Sequence, residues 1–307
     1  MSTKTDLDVG GRTIPVSRLD KVFYPETGFT KGDLINYYVQ ISPALLPHLK
    51  DRALTMKRYP NGVEGEFFYE KKCPSHRPDW IKTRAIKRES KDDYIDFCVI
   101  DDLPSLVWTS NLADLELHTS LAFSSKPERP SMMVFDLDPG PPADIVLCSQ
   151  IGLWLKEKLE KWDMQCFPKT SGSKGLQVYV PLNTAVTFDD TKAFAHELAK
   201  KMEAEHPDKI VSRMLKKLRT GKVLIDWSQN DDHKTTVCVY SLRAKERPTV
   251  STPVTWTEVE KCLKKKDPEL LVFEHDEVVK RYQEHGDLFA PVLELKQKLP
   301  KIQVIND

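Results

Sequence analysis

The run Met132-Met133-Val134-Phe135-Asp136-Leu137-Asp138-Pro139-Gly140 leaves the backbone few choices. A short apolar stretch closed by Pro-Gly reads as a buried strand ending in a turn. Side chains alternate along a strand, so Asp136 and Asp138 leave one face and Leu137 the other. Two carboxylates this close repel unless a cation lies between them or one keeps its proton. A second apolar run, Val223-Leu224-Ile225-Asp226-Trp227-Ser228-Gln229-Asn230, brings a third carboxylate to a strand end. Such a trio suits hard divalent cations, and paired metals are a recurrent solution for phosphoryl transfer. An Asp before Pro-Gly is often only a turn starter, which describes Asp138 taken alone. Asp136 lies within the apolar run, where that reading fits poorly.

Between the two runs lies Lys169-Thr170-Ser171-Gly172-Ser173-Lys174-Gly175-Leu176-Gln177-Val178-Tyr179-Val180-Pro181. Glycines open backbone conformations closed to other residues, and successive N–H groups in such a turn can form an anion-binding nest. Ser171, Ser173 and Lys174 add hydroxyls and a positive charge. The loop is not a Walker A motif, because the Gly-Lys-Ser/Thr ending is absent and a strand follows where a helix is required.

The chain has 307 residues, a formal net charge of zero and no apolar run of membrane-spanning length. Charge distribution says more than the total. Lys209, Arg213, Lys216, Lys217, Arg219 and Lys222 form an acid-free run leading into the Asp226 strand, and bases also exceed acids from Arg52 to Lys91. A basic surface near a carboxylate site suits a phosphate-rich substrate. Six cysteines without a Cys-x-x-Cys pair point to reduced thiols in a cytoplasm, and Cys73-Pro74-Ser75-His76 reads as a turn rather than half a zinc site. No apolar segment of a secretory signal opens the chain.

Periodicity predicts strands over Arg12–Val16, Leu54–Tyr59, Phe67–Lys71 and Asp114–His118. It predicts helices from Thr30 to a bend or end near Pro43, over Pro104–Leu112, over Ile145–Trp162 and over Asp189–Glu205. The mixture is α/β or α+β. In an alternating Phe67-Phe68 pair, one ring belongs to the core and the other is free to stack on bases.

In order, Asp136-Leu137-Asp138, Ser171-Gly172-Ser173-Lys174-Gly175 and Asp226-Trp227-Ser228-Gln229-Asn230 resemble the motifs of the archaeo-eukaryotic primase superfamily. Within it the chain is most similar to polymerase domains of bacterial DNA ligase D, used in non-homologous end joining. The resemblance implies a primase-like core with mixed or antiparallel sheets flanked by helices. It implies a loose N-terminus over residues 1–8, one catalytic domain over 9–290 and a C-terminal extension over 291–307. It implies a template-directed nucleotidyltransferase for DNA ends and gaps, favouring ribonucleotides. Asp136, Asp138 and Asp226 would hold two divalent ions, manganese or magnesium. Lys57, His118, Ser171, Lys174, Gln229 and Arg243 match nucleotide contacts, and Lys21 and Lys31 match lysines that hold a downstream 5′-phosphate. Phe67 and Phe68 match a pair set against the template strand, with Arg213, Lys216 and Arg219 as further DNA contacts. Implied partners are gapped DNA with a 5′-phosphate, nucleoside triphosphates, a Ku-type end-binding protein and a separate DNA ligase, in the cytoplasm at the nucleoid. One departure stands out: Gln177 occupies the place of the superfamily's histidine, and glutamine cannot titrate. Two other readings stand beside this one. Val134-Phe135-Asp136-Leu137-Asp138 also resembles the first motif of haloacid-dehalogenase-type phosphatases, and Gln177 leaves room for a DNA-end-binding scaffold with little catalysis.

Overall fold

The computed structural model describes residues 4–87 and 93–305. They divide into two compact units, one of Met1–Ser125, Thr235–Ser251 and Phe273–Asp287, the other of Lys126–Lys234, Thr252–Val272 and Leu288–Asp307. The fold is α+β with antiparallel sheets and seven α-helices among the described residues, as the sequence implied. Lys91, the end of the second basic stretch, and the first three residues lie outside the described residues.

The first unit opens with a hairpin, β1 (Lys4–Val9) and β2 (Arg12–Ser17), in register from Lys4↔Ser17 to Val9↔Arg12. Of the N-terminal stretch expected to be loose over residues 1–8, residues 1–3 lie outside the described residues and the remainder belongs to β1. Leu7 and Val9 pack with Ile14 and Val16 against Ile35 and Val107, and that burial favours the paired state. A second hairpin, β3 (Val22–Tyr24) and β4 (Phe29–Thr30), leads into helix α1 (Lys31–Leu49). Thr30 caps α1: its hydroxyl accepts from Asp33 N at 3.2 Å, while Asp33 Oδ2 accepts from Thr30 N at 2.8 Å. The helix does not end at Pro43, since α1 carries both Pro43 and Pro47 within it. Tertiary anchors override local propensity here. The buried Tyr37 and Tyr38 donate hydroxyl hydrogen bonds to the carbonyls of Tyr240 (2.8 Å) and Leu115 (2.7 Å).

A six-stranded sheet follows, built from β5 (Ala53–Arg58), β6 (Phe68–Glu70), β7 (Thr83–Lys87), β8 (Tyr94–Val99), β9 (Asp114–Thr119) and the short strand Thr236–Val237. Helix α2 (Leu103–Asn111) begins at Asp102, whose Oδ1 accepts from Ser105 N at 2.9 Å. A disulfide joins Cys73 to Cys98 on β8, correcting the expectation that all thiols are reduced. Cys73 N donates to the carbonyl of Asp96 at 2.7 Å, which draws together two cysteines 25 residues apart. The remaining cysteines are buried thiols.

The second unit centres on a five-stranded sheet of β10 (Met132–Pro139), β11 (Phe167–Thr170), β12 (Leu176–Pro181), β13 (Ile210–Val211) and β14 (Val223–Asp226). Its order is β11-β12-β10-β14-β13, antiparallel except for β13 with β14. Helices α3 (Ile145–Glu160), α4 (Phe188–Glu205) and α5 (Trp256–Lys265) accompany it. Leu137 and Leu176 face α3 at Gly152, so the apolar side of β10 is core and its carboxylate side is the other. The described part of the C-terminal extension packs in this unit. Gln297 Oε1 accepts from Gln165 N at 2.7 Å, its Nε2 donates to the Pro181 carbonyl at 2.8 Å, and Ile305 is buried.

Candidate active site

The register of the second sheet sets four polar residues side by side. Lys169 on β11 pairs with Gln177 on β12, Gln177 with Asp136 on β10, and Asp136 with Asp226 on β14. Asp138 lies two residues along the same face of β10. Burial pushes the Asp136 carboxyl up to about 8, helped by the charge of Asp138; a hydrogen bond from Gln177 opposes the shift, Asp226 adds to it, and Lys169 opposes it. Asp136 Oδ1 is buried without a hydrogen-bond partner. An orphaned carboxylate oxygen among two further carboxylates is the chemistry of a divalent-cation site, since a cation would relieve both repulsion and lost hydration. The donor set therefore fits the implied metals.

Asp226 ends β14 and organises the turn that follows. Its Oδ1 accepts from Ser228 N (2.9 Å) and Ser228 Oγ (2.6 Å), and its Oδ2 from Gln229 Nε2 (3.1 Å). Gln229, matched to the nucleotide pocket, thus sits against a metal-type carboxylate. Asn230, which the sequence reading left without a role, pins this turn to β10. It accepts from Val134 N at 2.8 Å and donates to the Val134 carbonyl at 2.7 Å.

The glycine loop closes on itself. Ser171 Oγ accepts from Ser173 N (3.2 Å) and Gly175 N (3.0 Å), so two N–H groups of the expected anion nest turn inward. Gly172 has φ +66°, and a Cβ on Gly175 would stand 2.3 Å from the Leu137 carbonyl oxygen. Ser171 is buried and Lys174 is exposed, which leaves Lys174 as the loop's accessible cation.

In the first unit, Lys57 on β5 and His118 on β9 converge with Arg243 on one carboxylate, Glu116. Lys57 Nζ lies 3.3 Å from Glu116 Oε1, His118 Nε2 3.0 Å and Arg243 Nε 3.4 Å from Oε2, while Ala244 N donates to Oε1 at 3.0 Å. Burial works against the Glu116 charge, but the His118 hydrogen bond and the charges of Arg243, His118 and Lys57 hold its carboxyl well below the usual range. Burial also lowers His118, against the pull of Glu116. Sequence reasoning missed Glu116. Its only signal was its place two residues before His118, on the same face of a strand.

Lys57 Nζ also sits over the Phe67 ring at 4.5 Å. Phe67 and Phe68 are 51% and 44% exposed, so neither ring is core, contrary to the expectation of one inward and one outward. Phe67 precedes β6, where strand alternation does not apply. It stacks instead on Tyr59, with centroids 5.2 Å apart.

Lys21 and Lys31 line a pocket of about 180 Å³ with Arg18 and Arg58. Lys31 Nζ donates to the Ser17 carbonyl (2.8 Å) and Asn111 Oδ1 (2.7 Å), and Lys21 Nζ to Asn61 Oδ1 (2.8 Å). Burial lowers Lys31 to about 8, reinforced by the charges of Arg18, Lys21 and Arg58. Arg18 and Arg58 were not singled out from sequence. In the second unit, Arg213, Lys216 and Arg219 lie on an extended, partly 3-10 stretch; Arg213 and Lys216 are exposed, Arg219 half-buried. Met214 and Leu215 are exposed between them.

A family model for the LigD primase-polymerase domain matches residues 30–289. The multifunctional non-homologous end joining protein LigD of Mycolicibacterium smegmatis is 38% identical over 275 residues, 89% of this chain and 35% of that protein. The bifunctional LigD of Bacillus subtilis is 34% identical over 289 residues, 94% of this chain and 45% of that protein. The chain therefore spans less than half the length of these relatives. The polymerase domain of Mycobacterium tuberculosis ligase D, solved in complex with DNA, superposes with a TM-score of 0.85 at 33% identity, covering 92% of this chain and 99% of that one.

Proposed function

Because the chain belongs to the LigD primase-polymerase domain family, we propose that it is a template-directed nucleotidyltransferase that fills DNA ends and gaps in non-homologous end joining. The observation that carries the reading is the cross-strand rung that sets Asp136 beside Asp226, with Asp138 on the same face and Asp136 Oδ1 orphaned. Asp136, Asp138 and Asp226 would hold two divalent ions, magnesium or manganese. When bound, such ions neutralise phosphate charge and activate a hydroxyl nucleophile. The residues around them do the holding: Ser228 and Gln229 orient Asp226, and Gln177 stands opposite Asp136 in the strand register.

By family resemblance, Lys57, His118, Arg243, Ser171, Lys174 and Gln229 bind the incoming nucleoside triphosphate, with ribonucleotides preferred. The cations suit a polyphosphate, and Glu116 keeps the first-unit group from mutual repulsion. The four-cation pocket around Lys21 and Lys31 suits a 5′-phosphate. Exposed Phe67 and Phe68 offer faces on which bases stack, and the segment bearing Arg213, Lys216 and Arg219 offers phosphate contacts. A Ku-type protein and a separate ligase are the corresponding partners, at the nucleoid. No described helix is long and apolar enough to cross a membrane. Gln177 is compatible with catalysis, because its amide offers a hydrogen-bond donor opposite Asp136 in the strand register. The phosphatase and scaffold alternatives find no support among the relatives.

Extension of a labelled primer on gapped DNA with magnesium or manganese tests the reading. Wild type should add nucleotides. Asp136→Ala and Asp226→Ala should lose addition while keeping the melting profile of a folded chain. Near-normal extension by either folded variant would remove the metal assignment.

A further inference from the structure

Lys169 is fully buried, at 0% exposure. An ammonium in such a place needs a strong partner. Its Nζ donates to Gln177 Oε1 at 2.6 Å and lies 5.4 Å from the Tyr179 ring centre. Gln177 is itself 3% exposed and sits between Lys169 and Asp136 in the strand register. A glutamine amide can face either way, and its neighbours decide which end is oxygen. Lys169 decides here. A cation has no acceptor, so the amide oxygen must face it and the NH2 must face the other way, toward the flank on which Asp136 stands opposite Gln177 in the register.

We propose that Lys169 is a positioning residue: it locks the Gln177 amide so that its NH2 holds Asp136 and keeps Oδ1 aimed at a divalent cation. The proposal rests on the metal-site reading above. Groups behind metal ligands orient them in this way, and their loss commonly weakens binding about ten- to a hundredfold. A rival account makes Lys169 only a buried counter-charge to the three carboxylates. The two differ in sign. A counter-charge repels a divalent ion, so neutralising it should tighten metal binding; an orienting donor, once lost, should weaken it.

Manganese binding to the full chain, followed by the electron paramagnetic resonance signal of free Mn2+, separates them. Asp136→Asn should abolish the tight site. Lys169→Met and Gln177→Leu should each weaken it about ten- to a hundredfold. Lys169→Gln has no charge but can still donate to the Gln177 oxygen, and should stay within about threefold of wild type. The Lys169→Met/Gln177→Leu double variant should bind no more weakly than Gln177→Leu, since both break one chain of contacts. Tighter binding by Lys169→Met or Lys169→Gln overturns the proposal in favour of the counter-charge. Should Lys169→Met fail to fold, the Lys169→Gln and Gln177→Leu pair decides by the same criteria. Wild-type binding with Lys169→Met and Gln177→Leu unaltered overturns the positioning role alone. Absence of binding by folded wild type overturns the metal assignment and the proposal with it.

Discussion

Replacing Glu116 by glutamine isolates the charge at the centre of the first unit's cationic group. The side chain is 2% exposed and meets Lys57, His118, Arg243 and the Ala244 amide, all at 3.0–3.4 Å. Glutamine keeps the shape but offers a single acceptor, and it turns an NH2 toward groups that are themselves donors. Breaking a buried ion pair by removing one partner costs about 3–5 kcal/mol. Lys57, His118 and Arg243 keep 13%, 12% and 17% exposure, so water compensates in part, and the lower end, about 3 kcal/mol, is expected. The sign with pH follows from the depressed carboxyl. Its stabilisation is complete above the ordinary glutamate value of 4.5 and is lost as pH falls through the lower folded value. Urea unfolding of wild type and Glu116→Gln at neutral pH and again below pH 4.5 should therefore show a large gap that narrows in acid. Equal stability at neutral pH, or a gap unchanged in acid, would refute the account of Glu116 as a charged hub.

Lys21→Ala should erase a preference for gapped DNA bearing a 5′-phosphate over matched 5′-hydroxyl DNA, and should reduce the salt slope of binding by about one. Equal affinities of wild type for both ends would remove the phosphate pocket. The same preference should fade as pH rises through about 8, where Lys31 loses its proton while DNA phosphates stay charged, as a pH series of the same titration would show. Cys73→Ser should cost about 3–4 kcal/mol in unfolding experiments, the loop-closure value for a 25-residue span, and reductant should abolish the difference from wild type. Gly175→Ala should displace the glycine loop, since its Cβ would meet the Leu137 carbonyl at 2.3 Å; normal primer extension at an unchanged melting temperature would contradict this.

Where a signal is local, the sequence was legible. The apolar runs of β10 and β14 and the alternation of β12 announced these strands, and a carboxylate at each of two strand ends pointed to one acidic site. What stayed hidden depends on partners distant in sequence. Glu116 reads as an ordinary strand residue until β5 supplies Lys57 opposite it and Arg243 approaches from more than a hundred residues away. Lys169 resembles the start of a loop until β12 lays Gln177 beside it. Pro43 reads as a bend or end of the helix because the tertiary bonds of Tyr37 and Tyr38 cannot be read locally. The Cys73–Cys98 bond has no spacing motif and depends on the backbone contact at Asp96.

In β10 the packing of the core and the placement of the carboxylates share one frame. Antiparallel neighbours on both sides fix that frame, with Asp136 opposite Gln177 on one flank and Asp226 on the other. Inserting or deleting one residue upstream within the strand would exchange the two faces. Leu137 would surface among the polar residues, and two acidic side chains would be driven into the packing beside α3. Length changes here would therefore remove the fold together with the chemistry. A folded but inactive descendant of this chain is reachable by substitution on the carboxylate face, whereas insertions and deletions are confined to the surrounding loops.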